Sequence, residues 1–501
     1  MEKIQILQIG HKDWREHYTL PDIAEFCCEN TLKKPLSKLY DMVFLDRTLS
    51  DSEITCLYKA VKAYTLFVTD QVEMTDGMAW LYKSRKGRTI AEADIQEFLL
   101  YETKNYFSRP YGEKLNLNNI AVAQGFDGNV KWEGSCGVCL NGNFGTELNQ
   151  AVYWRNSIPV FEGQCLDLWL EYQKDETISI ALTVTQIVSG SLSDVQQTWR
   201  FSEEELEQEI QIDNQFSQGF LFISIFAKGS GELRIAGIHL RKSRRGQGLF
   251  LAGGERYITS KREEVFCYFD PADMKPPLNV YFSGYKTEEG FEGYYLMRGM
   301  GCPFLLIAEA RLEGGSFYIG TEEYEDMLCS TIVKYMKELG FTPAQVVLSG
   351  ISMGSFGAMY YGCRIRPYAV LLGKPLLSIG MVAAKAKLHR AGDFSTSLDI
   401  LKYLCGTADE EAVKELDKRF WDKFDKTDWG ESKIIVSYMI EDDYDDSAYP
   451  GLLSHIHSDR VQLYGKGFHG RHNDNSQGVV EWFSSRLRQI LMEDFQRKAG
   501  R

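Results

Sequence analysis

The sequence predicts an α/β fold in three parts: a small N-terminal α/β domain over residues 1–115, a central β-sandwich over 118–248 and a C-terminal α/β domain over 250–501. Three observations lead there. At 501 residues and 57.3 kDa the chain exceeds what one hydrophobic core supports. The apolar period changes twice, from strand and helix in alternation to strands of alternating face and back again. In the last part an apolar strand runs straight into Gly-x-Ser-x-Gly, the sequence of a tight strand-to-helix turn.

The first part carries the short strands Ile4-Gln5-Ile6-Leu7-Gln8-Ile9, Met42-Val43-Phe44-Leu45 and Tyr64-Thr65-Leu66-Phe67-Val68. Helical patterns over 51–60 and 95–101 alternate with them, so a small parallel, Rossmann-like sheet is expected. No Gly-x-Gly-x-x-Gly follows Gly10, which argues against a dinucleotide loop and leaves support or partner docking as its use. Cys27 and Cys28 are expected as buried helix residues.

The second part alternates faces in Leu166-Asp167-Leu168-Trp169-Leu170-Glu171-Tyr172, in residues 178–184 and in residues 220–226, with Gly, Ser and Asn between them. Several short strands and few helix candidates read as a sandwich. Trp132, Tyr153, Trp154 and Trp199 are either core and rim or a platform for sugar rings. Cys136 and Cys139 have redox-motif spacing without the following helix that would lower a thiol pKa. No second CxxC completes a four-thiolate zinc site.

The third part supplies strands over 265–269, 280–282, 304–308, 346–348, 370–372, 434–438 and 461–463, and helices near 322–339, 355–364 and 410–420. Ligand chemistry in such open sheets gathers beyond the carboxyl ends of the strands. There Gly350 and Gly354 flank Ser352 where side chains would collide with neighbouring backbone. A helix starting after Ser352 would aim the Met353 amide at a developing oxyanion. The second donor is expected from the Tyr285 amide, in the loop after residues 278–282.

A serine hydroxyl needs a base, and eight histidines are available. His11 and His17 lie near the N-terminus, His239 in the central part, and His455 and His457 ahead of a late strand; His389 has no evident orienter. His472 is favoured and His469 is the alternative, both in the loop Gly465-Lys466-Gly467-Phe468-His469-Gly470-Arg471-His472 after the last strand. Residues 433–439 end in Glu441-Asp442-Asp443-Tyr444-Asp445-Asp446, which gives the chain order serine, acid, histidine. Asp442 is the favoured acid, with Glu441, Asp443 and Asp446 as alternatives. A hard-cation site in this acidic loop is a competing reading, against which the loop lacks calcium-module spacing.

Net charge is -14, from 70 acidic residues against 56 Lys and Arg. That balance disfavours nucleic acid and anionic lipid as general partners. The run Arg241-Lys242-Ser243-Arg244-Arg245 is at best a local docking point. The N-terminus turns polar before a leader could form, and no apolar run nears the roughly 20 residues that span a bilayer, so a cytoplasmic protein is expected.

Phe282-Ser283-Gly284-Tyr285, Glu289-Gly290-Phe291-Glu292-Gly293-Tyr294, Gly350-Ile351-Ser352-Met353-Gly354-Ser355, residues 438–445 and Phe468-His469-Gly470-Arg471-His472-Asn473 carry a resemblance. The C-terminal part resembles the α/β-hydrolase superfamily, and the whole chain resembles the acetyltransferase component of the bacterial accessory Sec system. That resemblance implies O-acetylation of N-acetylglucosamine on a serine-rich repeat adhesin, together with support of its export. It implies the other accessory Sec proteins and the dedicated motor ATPase as partners, in the cytoplasm or loosely at the membrane. It also implies Ser352 as nucleophile, His472 as base and the carboxylate at or beside Asp442 as acid. No bound cofactor is expected; an acetyl donor is implied, but no coenzyme A-binding signature names it. A carbohydrate esterase and a non-catalytic export scaffold are the alternatives.

Overall fold

The structure is a computed structural model and describes residues 3–108, 112–134, 136–311, 315–389 and 397–497; the side chain of His389 lies outside the described residues. Its strands form three separate sheets.

The first sheet is five-stranded and parallel, in the order Ala24–Glu29, Ile4–Ile9, Met42–Leu45, Leu66–Thr69, Arg88–Ile90. Helix Asp51–Leu57 opens with a capping box between Ser50 and Glu53, and Thr75 caps helix Asp76–Ser84. Cys27 and Cys28 lie on the edge strand and are half-buried, so the helix reading of that pair is corrected. The predicted helix over 95–101 is one α turn, Ile95–Glu97, that widens into a π-helix over Phe98–Glu102.

The second sheet is organised by a 24-residue strand, Gly219–Lys242. Its first half pairs antiparallel with Ile178–Val188 and its second half with Cys165–Lys174. Between the halves Gly229 has φ +102°, and a Cβ there would sit 2.1 Å from the Thr177 carbonyl oxygen, so only glycine fits this bend. Leu221, Ile223 and Ile225 from one half and Ile235, Ile238 and Leu240 from the other join a single apolar cluster. Trp154 is buried in that core rather than offered to a ligand, whereas Trp132 and Tyr153 are exposed and Trp199 packs at the core's edge.

The third sheet has eight strands in the order Glu255–Ile258, Glu264–Asp270, Phe304–Ala308, Leu278–Phe282, Val346–Ile351, Ala369–Gly373, Lys433–Met439, Gln462–Phe468. Every pairing from Phe304–Ala308 onward is parallel. Side chains alternate between two cores, as the strand period requires. Val346 and Leu348 pack with helices Met353–Ile365 and Glu410–Asp425, and Val347 and Ile351 pack with helix Ser476–Gln489. The last strand runs on to Phe468, so Gly465 and Gly467 belong to it and the terminal loop is shorter than the sequence implied.

The basic run at 241–245 is not a surface patch. Arg241 and Arg244 are buried. Arg244 donates to the carbonyls of Asn105 (2.9 Å), Phe107 (2.8 Å) and Phe250 (2.7 Å), which joins the end of the first part to the start of the third. Among the described residues no helix is long and apolar enough to cross a membrane.

Candidate active site

Strand Val346–Ile351 delivers Ser352 at the carboxyl end of the third sheet, and helix Met353–Ile365 begins with the next residue. Ser352 sits at φ +54°, ψ -123°, a conformation L-residues rarely adopt. The flanking glycines explain how it is held: a Cβ on Gly350 would lie 2.2 Å from the Gly354 carbonyl, and one on Gly354 would lie 2.1 Å from the Phe282 carbonyl. The Ser352 amide donates to the Gly373 carbonyl (2.8 Å), and its own carbonyl accepts from the Ser355 amide (2.9 Å) and hydroxyl (2.5 Å).

Ser352 Oγ lies 2.9 Å from His472 Nε2, and His472 Nδ1 lies 2.9 Å from Asp442 Oδ2. The imidazole is 1% exposed and Asp442 6%. Asp442 Oδ1 accepts from the amides of Tyr444 (2.8 Å) and Asp445 (3.2 Å), which fixes the carboxylate over the sheet edge. The Tyr444 ring stacks on His472 at 4.3 Å and 8°, and the His472 amide donates to Asp443 Oδ1 (3.0 Å). With Asp442 on Nδ1, the other ring nitrogen, Nε2, faces the Ser352 hydroxyl.

The alternatives fall elsewhere. His469 is 87% exposed and meets Glu441 at 3.1 Å, on the outside of the loop. Asp443 holds the His472 backbone rather than its ring. Asp445 accepts from the amides of Leu377 and Ser378, and Asp446 pairs with Lys385. The acidic loop therefore spends these carboxylates on protein partners. His455 stacks on Trp421, and His239 is buried in the central sheet.

Met353 is the first residue of its helix, so its amide has no acceptor within the helix. Met353 and residues 283–290, Tyr285 included, line one cavity of about 160 Å³, with Lys114–Leu117 of the central part as another wall. Met353 and Tyr285 thus line common space. Lys374, which follows Gly373 and donates to Ser476 Oγ (3.0 Å), lies close enough to Asp442 to feel its charge; burial lowers the lysine pKa.

Among the described residues, Glu171, His239 and Glu264 form a group with metal-ligand spacing. Lys114 already meets Glu171 (2.7 Å), and Arg241 (2.6 Å) and Arg256 (3.0 Å) already meet Glu264, so protein cations occupy the place an ion would take. Cys136 and Cys139 are buried and form no disulfide, and burial raises both thiols, Cys139 to about 11.

Sequence reasoning missed the Tyr444 stack, the Ser355 brace and the carboxylates of Glu289 and Glu292. The turn after the acid gave a signal for Tyr444, an aromatic two residues on; the others depend on contacts distant in sequence.

Fold and site together define an α/β protein of sheet-edge serine type, with serine, imidazole and buried carboxylate in one hydrogen-bonded line. The accessory Sec system GspB-transporter family model matches residues 4–497, and the chain belongs to that family. It is 37% identical over 507 residues to an accessory Sec system protein of Streptococcus gordonii, covering 99% of each chain. An accessory Sec system protein of Staphylococcus aureus is 33% identical over 466 residues, 91% of this chain and 88% of that one. A solved glycosylation associate protein complex from Streptococcus agalactiae matches with TM-score 0.87 and 33% identity, over 99% of both chains.

Proposed function

We propose that this chain is a serine-dependent O-acetyltransferase that modifies N-acetylglucosamine on a serine-rich repeat adhesin and supports its accessory Sec export. In this reading the central part is a β-sandwich and the third an α/β-hydrolase-like catalytic domain. Ser352 Oγ attacks the acetyl carbonyl while His472 Nε2 takes its proton and Asp442 stabilises the imidazolium. The amides of Met353 and Tyr285 receive the oxyanion. Collapse expels the donor's leaving group, which takes the proton from His472, and leaves acetyl-Ser352. A sugar hydroxyl then attacks, His472 accepts its proton, and Ser352 recovers it as the ester leaves.

The observation that carries the reading is the 2.9 Å contact of Ser352 Oγ with an imidazole whose far nitrogen meets a buried carboxylate, also at 2.9 Å. The export role, with other accessory Sec proteins and the dedicated motor ATPase as partners at the inner membrane face, is supported by family membership. An acetyl donor is required, of a class the site leaves open. Water in place of the sugar would make the same relay a carbohydrate esterase.

Ser352→Ala, with adhesin acetylation and adhesin export scored separately, tests the reading. Acetylation is expected to vanish while export persists. Unchanged acetylation would remove the catalytic role and leave an export scaffold. Acetate release that no glycan acceptor suppresses would instead assign the esterase.

A further inference from the structure

The proposed chemistry needs the Tyr285 amide held still, and the segment that carries it, residues 283–293, is tied at two places. At its base the Glu292 amide donates to Ser283 Oγ (3.0 Å), and the Gly284 amide donates to Glu292 Oε2 (2.5 Å). At its tip the tie leaves the catalytic domain. The Glu289 amide donates to the Gly112 carbonyl (2.7 Å), Arg241 Nε donates to Glu289 Oε2 (2.7 Å), and His239 Nδ1 bonds Glu289 Oε1.

His239 and Arg241 belong to the long strand of the central sheet and have no solvent exposure. Arg241 is fixed from behind, and His239 faces a second carboxylate. Arg241 forks onto Glu264 at 2.8 and 2.6 Å, and His239 Nε2 lies 3.1 Å from Glu171, which Lys114 meets in turn. Burial opposes a charged ring at His239, but Glu289 and Glu171 outweigh it and raise its pKa. The same network makes Glu289 an ionised acid, against its burial, with a pKa of about 2.

We infer that Glu289 is a positioning residue for acyl transfer: through His239 and Arg241 the central sheet sets where the Tyr285 amide stands, and so completes the catalytic site. The inference rests on the acyl-transfer reading above. Charge-assisted bonds are short and directional, and buried ones do not slip without leaving an unpaired charge. Misplacing a catalytic group by an ångström costs about 100-fold in rate. The central domain is then part of the enzyme and more than an appendage to it.

The test uses the full chain and p-nitrophenyl acetate turnover in wild type, Ser352→Ala, Glu289→Gln, Glu289→Asp and Glu209→Gln. Glu209 meets Arg241 (3.4 Å) from the side away from the loop, and serves as the control for loosening the network. Both Glu289 variants are expected to lose about 100-fold in kcat with KM within about twofold, while Glu209→Gln keeps its rate. Amides of residues 283–290 are expected to exchange faster in both Glu289 variants. Folded Glu289 variants with unchanged kcat would overturn the inference, as would an equal loss in Glu209→Gln. If wild-type turnover does not depend on Ser352, the acyl-transfer reading itself fails, and unaltered exchange in residues 283–290 would then overturn the clamp separately. If Glu289→Gln does not fold, Glu289→Asp, which keeps the charge, decides.

Discussion

Two carboxylate–imidazole pairs stand side by side at the end of the third sheet. Glu441 meets His469 at 3.1 Å and Asp442 meets His472 at 2.9 Å, nearly the same distance from adjacent acids. Their surroundings differ completely. The first pair is 52% and 87% exposed at its side chains, the second 3% and 1%. Glu441 accepts from the Gly470 amide and lies below the usual carboxylate range, first through that bond and then through His469. It holds the loop shape. Asp442 is roofed by protein, Tyr444 stacks on its imidazole, and the far ring nitrogen reaches a serine on a strained turn. An acid beside a histidine is common; water exclusion and a third group in line make the difference.

Breaking that comparison gives the largest expected effect. His472→Ala should lower Ser352-dependent ester turnover by on the order of 10⁴ to 10⁶, whereas His469→Ala should stay within about twofold, since exposed pairs contribute little. Equal losses would mean that burial is not what separates the pairs. Next, Asp442→Asn should cost about 10⁴ in kcat by admitting the wrong imidazole tautomer; Glu441→Gln should change kcat by less than about twofold. Steady-state kinetics on both variants reads this directly. Tyr444→Leu sharpens the comparison more gently. Losing the stack on His472 should cost about 1 kcal/mol, seen as a several-fold fall in kcat and a lower melting temperature.

The smallest effect concerns a third kind of acid, half-buried and with no cation among its described partners. Asp417 accepts from the amides of Gly380 (2.7 Å) and Met381 (3.2 Å), and burial raises it to about 7 despite them. Its folded pKa lies above the ordinary aspartate value of 3.8, so the folded state binds the proton more tightly. Stability from this group is therefore full below the unfolded pKa and declines as pH rises through the folded one. Melting temperatures are expected to show Asp417→Asn narrowing the stability gap between about pH 4 and about pH 8. An unchanged gap would mean that the carboxyl is already ionised in the fold.

Much of this was legible in the chain. Ser352 could be read because its signal is local: apolar strand, glycine, serine, glycine, small-residue helix. Chain order and position just beyond strands pointed to the two loops that hold His472 and Asp442, without separating them from His469 and Glu441. The parallel first sheet and the third sheet were legible through their runs of Val, Ile, Leu and Phe. What stayed hidden depends on pairing across long separations. Cys27 and Cys28 form a strand because Ala24–Glu29 pairs in register with Ile4–Ile9, a contact no local period announces. The run at 241–245 looks solvated on hydropathy alone, yet Arg241 finds Glu264 and Glu289, 23 and 48 residues away. The Glu289 tie to the central sheet was out of reach for the same reason.

Arg244 carries one further consequence. Its guanidinium gathers carbonyl oxygens from both sides of the central part, like a keystone gripped by the two flanks of an arch. Severing the polypeptide near residue 110 or 250 would strip that buried cation of its acceptors. The seams visible in composition are therefore poor places to divide the molecule, and excised fragments should emerge as insoluble shards rather than working modules.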